Sequence, residues 1–278
     1  MQHRFDNQTA VVVSISNRGG GAFGIAGGAR NLHVGAVCAR AFAQEGAHVW
    51  LVDEDASALE ALAGEIRVAG GRADVLIADA CDAQALLDVV ARCGGAMGPV
   101  HVLVNGHFES TMGTVEGSTA AEWMRAVQVN LLGPVHATQA FLPLLKRAAS
   151  AHGGAAIVHI GSIDGSLGNP QIPAYSAAKG GIVPLTHVMA DEFSAYGIRV
   201  NCVARAMMVE RGAPSHPRFA PLVAQTPLGR PAYPDEVAAA ACFLASAEAS
   251  YINGVVLPVD GGRSGITPGT RRKPQDPT

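Results

Sequence analysis

Three side chains within GSIDGSLGNPQIPAYSAAKGG (161–181) have the types and spacing for proton transfer. Tyr175 and Lys179 are four residues apart, which on a helix puts both on one face. Ser162 lies thirteen residues before Tyr175, where an apolar run ends. A phenol titrates at about pH 10 in water. A neighbouring ammonium favours the phenolate, so a Tyr–Lys pair makes an acid/base usable at neutral pH. A serine hydroxyl nearby can donate to a carbonyl oxygen as charge develops on it. Tyr-x-x-x-Lys alone occurs by chance in many helices; the serine and the strand-to-helix setting give it weight.

Such a set needs a strand ending at Ser162 and a helix opening just before Tyr175. The chain offers both inside a regular alternation. Strands are expected at 9–14, 47–53, 73–79, 100–105, 155–162, 198–204 and 254–260. Helical patterns cover 34–45, 56–69, 83–93, 174–195 and 234–247. Thr119 and Glu122 form a capping-box pattern that opens a further helix, and Pro134 and Pro143 predict that it is bent or segmented. Residues 205–232 read as an irregular, Pro-rich stretch. Apolar strands alternating with helices predict an α/β fold: a Rossmann-like, doubly wound parallel sheet of seven strands with helices on both faces. No linker interrupts it, so one domain is expected over 1–263. The tail 264–278 is polar and rich in Pro and Gly, and is expected to be flexible or docked on a neighbouring subunit.

The chain resembles the short-chain dehydrogenase/reductase family over about residues 4 to 262. Besides the Ser–Tyr–Lys segment, the matching stretches are LVN (103–105), VNLLG (129–133), GIRVNCVA (197–204), PLGRPAYPDEVAAAACFLAS (227–246) and SYINGVVLPVDGG (250–262). The resemblance implies a nicotinamide cofactor and a catalytic set of Asn130, Ser162, Tyr175 and Lys179. In that set Tyr175 exchanges a proton with the substrate oxygen and Ser162 holds that oxygen. Lys179 lowers the tyrosine pKa and binds the nicotinamide ribose, while Asn130 helps hold a water that connects Lys179 to solvent. Family assembly as tetramers through two long helices, here 119–149 and 174–195, implies a homotetramer.

The cofactor loop departs from the family pattern. A literal G-x-G-x-x-G is present at Gly19, Gly21 and Gly24, but the helix pattern starts near Val34. One alignment puts Gly35 at the last motif glycine and His33 at the middle one. Another resembles the enoyl reductase branch: Gly27, five residues, then His33-Val34-Gly35. That branch places its tyrosine seven residues before the lysine, and position 172 is Ile172, so enoyl reduction is disfavoured. In either register about a dozen residues, Ile15 to Ala26, are inserted after the first strand. The expected cofactor contacts are Gly27, Asn31, Leu32, His33, Val34, Asp53, Asp79, Ala80, Asn105 and Gly106, with Tyr175 and Lys179. Asp53 closes the second strand, where an acid bonds the adenosine ribose and repels a 2′-phosphate. With Glu54 and Asp55 beside it, NAD is expected over NADP. Arg18 and Arg30 are the cations that could reverse this. After NCVA the family has Pro-Gly and then a Thr; here Arg205 and Ala206 follow, without the Thr.

His107, Phe108, Ile163, Leu167, Met207 and Met208 are the candidate pocket residues and imply a largely apolar ketone or secondary alcohol. For Met207 and Met208 core packing is an equal reading. The alternatives are a nucleotide-binding sensor or scaffold without turnover, and a lyase or epimerase of the same fold.

The remaining composition excludes other classes. Twenty Lys and Arg against 23 Asp and Glu give a net charge of −3, which offers no case for nucleic acid or an anionic membrane. Five cysteines include no C-x-x-C pair and read as reduced core thiols. Ten histidines form no metal-binding pattern, so no metal is expected. MQHRFDNQTA lacks the apolar region of a signal peptide, and no apolar run reaches membrane length, so a cytoplasmic protein is expected.

Overall fold

The computed structural model describes residues 3–16, 33–212 and 217–267. Seven parallel strands run β1 (Thr9–Val13), β2 (His48–Asp53), β3 (Arg72–Ile77), β4 (Val102–Asn105), β5 (Ala155–Ser162), β6 (Ile198–Arg205) and β7 (Val256–Val259). Their order across the sheet is β3-β2-β1-β4-β5-β6-β7. This is the Rossmann-like, doubly wound arrangement expected. The chain reverses direction across the sheet between β1 and β4, and ligands bind outside the carboxyl ends of strands at such a switch point.

The central strands are apolar at nearly every position because both faces are covered. Val11, Val12 and Val13 of β1 and all eight residues of β5 are buried. One core layer lies under α1 (Val34–Gln44), α2 (Ala56–Val68) and α9 (Pro234–Ala245) and includes Val12, Phe42, Leu51, Leu59 and Val158. The other lies under α3 (Ala83–Met97), α5 (Gly133–His152) and α7 (Pro173–Ser194) and includes Val11, Leu86, Leu103, Phe141 and Ile157. Each buried aliphatic side chain of this size contributes about 1.5–3 kcal/mol.

The fourth helix has the capping box that the sequence predicts: α4 (Ala120–Val127) opens with Thr119 and Glu122 bonded reciprocally. It passes through a π-helical turn, Gln128–Leu132, into α5, whose first turn holds Pro134. Pro143 lies inside α5, so the segmentation falls at the π turn. Several details differ from expectation. β1 stops at Val13 because Ser14 takes a left-handed conformation, φ 63°. The helix expected over 83–93 continues to Met97, through Gly94 and Gly95. The stretch read as irregular holds a short helix, α8 (Ala220–Gln225), and a parallel bridge between Met208 and Ala232. A further short helix, α6 (Asp164–Leu167), lies between Ser162 and Tyr175.

All five cysteines are free, four of them buried. Among the described residues no helix is long and apolar enough to cross a membrane, and no group of His, Cys, Asp and Glu could hold a metal. Of the expected tail, residues 268–278 lie outside the described residues, as do Gly19, Gly21, Gly24, Gly27, Asn31, Leu32, Arg18 and Arg30.

Candidate active site

Ser162 is the last residue of β5, at the carboxyl edge of the sheet, and Tyr175 lies in the first turn of α7. α7 begins at Pro173, whose missing N–H is no loss in a first turn. The Tyr175 side chain is buried, with the Ser162 side chain close enough to favour its ionised form. The Ser162 hydroxyl oxygen also accepts from the Asp164 N–H at 3.1 Å, which ties the serine to α6. Gly165 of α6 packs against the backbone of Lys179, so closely that a Cβ there would collide with it. The short helix that the sequence did not announce therefore fixes both ends of the set.

Lys179 is buried, and its Nζ donates to the His107 carbonyl at 2.7 Å and to the Ile160 carbonyl at 2.8 Å. Burial and the nearby Arg205 charge lower its pKa to about 7. Burial raises the Tyr175 pKa, opposed by the Arg205 charge and by the Ser162 side chain. The lysine was expected to supply the cation that favours the phenolate. In the structure Arg205 does so, because the ammonium is committed to two carbonyls and lies 6.0 Å from the Tyr175 ring centre.

Asn130 sits in the π turn and is fully buried. Its Nδ2 donates to the carbonyls of Glu109 and Ala126, at 2.7 and 3.1 Å, and its Oδ1 accepts from the Glu109 N–H. It thus holds the segment after β4, whose His107 carbonyl receives Lys179. Asn105 does not join the set. Its Nδ2 reaches Thr138 and Pro134 of α5 and His159 of β5, tying β4 to its neighbours. His159, fully buried behind Lys179, has its pKa lowered to about 3 by burial and by the lysine charge.

At the other end of the crevice, α1 starts at Val34 with His33 as its N-cap, the Nδ1 accepting from the Gly35 N–H at 3.2 Å. The backbone of Gly35 and that of Gly106 both lie against the Ser14 carbonyl, where a Cβ on either would collide. Close helix-to-strand approach of this kind is what the last glycine of a dinucleotide fingerprint supplies. It brings a helix N-terminus, with its unpaired N–H groups, to the end of β1, a place suited to a pyrophosphate. The cradle therefore fits a nicotinamide dinucleotide.

Asp53 ends β2 as expected, but its carboxylate is already filled. It accepts from the Ile15 N–H at 2.8 Å, the Ser16 N–H at 3.1 Å, the Ser16 hydroxyl at 2.9 Å and the Asp55 N–H at 3.1 Å. An ionised carboxylate has about four lone-pair sites. Asp53 anchors the chain leaving β1 and is fully buried. Asp79 bonds the Cys81 N–H, and Ala80 offers its carbonyl to His107 Nε2 at 2.8 Å.

The pocket candidates divide. Ile163 is buried beside Ser162, and Phe108 meets the Tyr175 ring edge-on at 5.6 Å. Leu167 is half exposed at the end of α6. Met208 packs on the core layer under α1 and α9, in keeping with the structural reading of that residue. His107 is buried, its ring against Gly133.

Residues 27–264 match the family model described as enoyl-(acyl carrier protein) reductase. Galactitol 2-dehydrogenase (L-tagatose-forming) of Cereibacter sphaeroides is 37% identical over 235 residues, 82% of this chain and 90% of its own. The chain belongs to the short-chain dehydrogenase/reductase family. Another member, the inactive 2-(S)-hydroxypropyl-CoM dehydrogenase 2 of Xanthobacter autotrophicus, is 37% identical over 237 residues, 82% of this chain and all of its own. A gluconate 5-dehydrogenase from Burkholderia cenocepacia, solved with NADP and tartrate, superposes with a TM-score of 0.82 at 27% identity, over 96% of this chain and 98% of that one. Dehydrogenases among the relatives support an oxidoreductase of this family, one that binds NAD or NADP.

Arg205 stands where the family pattern has proline, and it brings a charge that the pattern lacks. The signal was present: β6 ends on an arginine, beside Ser162 at the carboxyl edge of the sheet.

Proposed function

We propose that the protein is an NAD(H)-dependent oxidoreductase that interconverts a secondary alcohol and a ketone. The observation that carries this is the buried Tyr175 phenol placed beside Ser162, with Lys179 one turn further along α7, at the carboxyl edge of β5. The Ser162 hydroxyl donates to the substrate oxygen and holds it against Tyr175. The phenol exchanges its proton with that oxygen: it gives the proton up in reduction and takes it back in oxidation. Lys179, titrating near neutrality, returns or removes the proton at the tyrosine oxygen through the ribose or a water. Asn130 keeps the His107 carbonyl in place for Lys179. When bound, the nicotinamide carries the hydride to or from the substrate carbon; His33, Val34 and Gly35 would hold its pyrophosphate. Asp53, Glu54 and Asp55 support NAD over NADP through their negative charge, which repels a 2′-phosphate. Five free cysteines suit the cytoplasm, and the long helices α5 and α7 suit a homotetramer.

The test is loss of NADH absorbance with a panel of ketones, repeated with NADPH. Turnover with NADH that collapses in Tyr175→Phe supports the reading. Tight NADH binding with no turnover across the panel would favour the sensor or scaffold, a reading that the inactive relative keeps open. NAD retained through every cycle would point to a lyase or epimerase.

A further inference from the structure

Arg205 closes β6 and is the register partner of Ser162 on β5. Register partners on parallel strands send their side chains to the same face, with strands about 4.8 Å apart. The guanidinium therefore leaves the sheet beside the serine. Its Cζ lies 4.7 Å from the centre of the Phe108 ring, which in turn meets Tyr175. Among the described residues, its one hydrogen bond is from Nη1 to the Ala206 carbonyl at 3.2 Å, and it makes no ion pair. Five N–H donors are carried by a guanidinium.

Other half-buried arginines in this chain are matched. Arg125 pairs with Glu109, Arg230 with Glu236, and Arg199 donates to four carbonyls. Arg205 shares its corner with a second buried cation, Lys179, and the two repel. Asp164 is the acidic side chain felt by Tyr175, and it forms no ion pair with Arg205. A half-buried charge without a partner is costly, and a ligand of opposite charge recovers that cost.

We propose that Arg205 binds the carboxylate of the substrate, so that the site takes hydroxy acids and their oxo acids in preference to neutral alcohols and ketones. The inference rests on the dehydrogenase reading for the reaction, and gives the largely apolar substrate expected from the sequence an anionic end. The planar fork matches two carboxylate oxygens, and stacking on Phe108 holds its plane. The cofactor pyrophosphate is a poorer occupant. α1 begins at the end of β1, three strands from β6, a separation of about 14 Å at the usual strand spacing.

The experiment compares 2-, 3- and 4-oxo acids with their methyl esters, using NADH, in the wild type and in Arg205→Leu. The wild type is expected to favour at least one acid over its ester by about tenfold or more in kcat/KM, and the variant to bring that ratio close to one. A ratio unchanged by the substitution, or a wild type that favours every ester, overturns the proposal. A second measurement needs no turnover: calorimetric titration of succinate and of inorganic phosphate onto the protein, with and without NADH. Succinate affinity that falls about tenfold or more in Arg205→Leu, with NADH affinity held within about twofold, supports the proposal. Phosphate bound more tightly than succinate, or a tenfold loss of NADH affinity, overturns it. Arg205-dependent succinate binding without turnover of any substrate would leave the carboxylate site standing and sink the dehydrogenase reading.

Discussion

Tyr175 and Lys179 stand one turn apart on α7, yet the Lys179 ammonium bonds the carbonyls of His107 and Ile160 rather than the tyrosine. The lysine positions the loop after β4, and the Ser162 hydroxyl is the group that meets the phenol. Tyr175→Phe removes the exchangeable proton and leaves the ring packing with Phe108. Turnover should fall by about 10²–10⁴-fold. NADH affinity, measured by fluorescence titration, should stay within a few-fold of the wild type. Undiminished turnover would remove Tyr175 from the acid/base role.

Lys179 also sets a pH dependence of stability. An unfolded lysine titrates at about 10.4, while burial and Arg205 hold the folded one at about 7. Between these values the unfolded chain binds the extra proton, so stability rises with pH. In denaturant titrations of the cofactor-free protein, the wild type should gain more stability from pH 7 to 9 than Lys179→Met. Parallel slopes for the two proteins would contradict the shift.

Two glycines give opposite expectations. A Cβ on Gly35 would collide with the Ser14 carbonyl, and neither backbone can yield without moving α1 off β1. Gly35→Ala should lower stability by about 1–3 kcal/mol and weaken NADH binding. A Cβ on Gly64, within α2, meets nothing. Gly64→Ala should raise stability by about 0.5–1 kcal/mol. Thermal melts and NADH titration of both variants check the pair.

Asp53→Ala should act on two properties at once. Removing the carboxylate strands the buried Ile15 N–H and three further donors, at about 1–3 kcal/mol for a buried unmet group. It also removes negative charge from the end of β2, so the ratio of NADH to NADPH affinity should fall. A wild type that already binds NADPH more tightly would reverse the sign of the charge argument.

The fold was legible because alternation of apolar strands with helical stripes is a local pattern, and seven such runs leave few topologies. The Ser162–Tyr175–Lys179 arrangement was legible because helix and strand periods fix it. Lys179's partners were not, since His107 lies in the loop after β4 and Ile160 in β5, both remote along the chain. The filling of Asp53 by Ile15 and Ser16 was likewise hidden: composition says an acid stands there, and only the path of the backbone says which groups reach it first. Arg205 was visible as a letter, but its lack of a partner is a property of the packed site.

The π turn at Gln128–Leu132 gives the α4–α5 rod a fixed phase. Each residue advances a helix by about 100° around its axis. Taking one residue out of this turn would swing Thr138, Phe141 and Leu145, all buried, away from the sheet. Asn130 would leave Glu109 by the same rotation. The rod therefore works as a length gauge, intolerant of a single deletion.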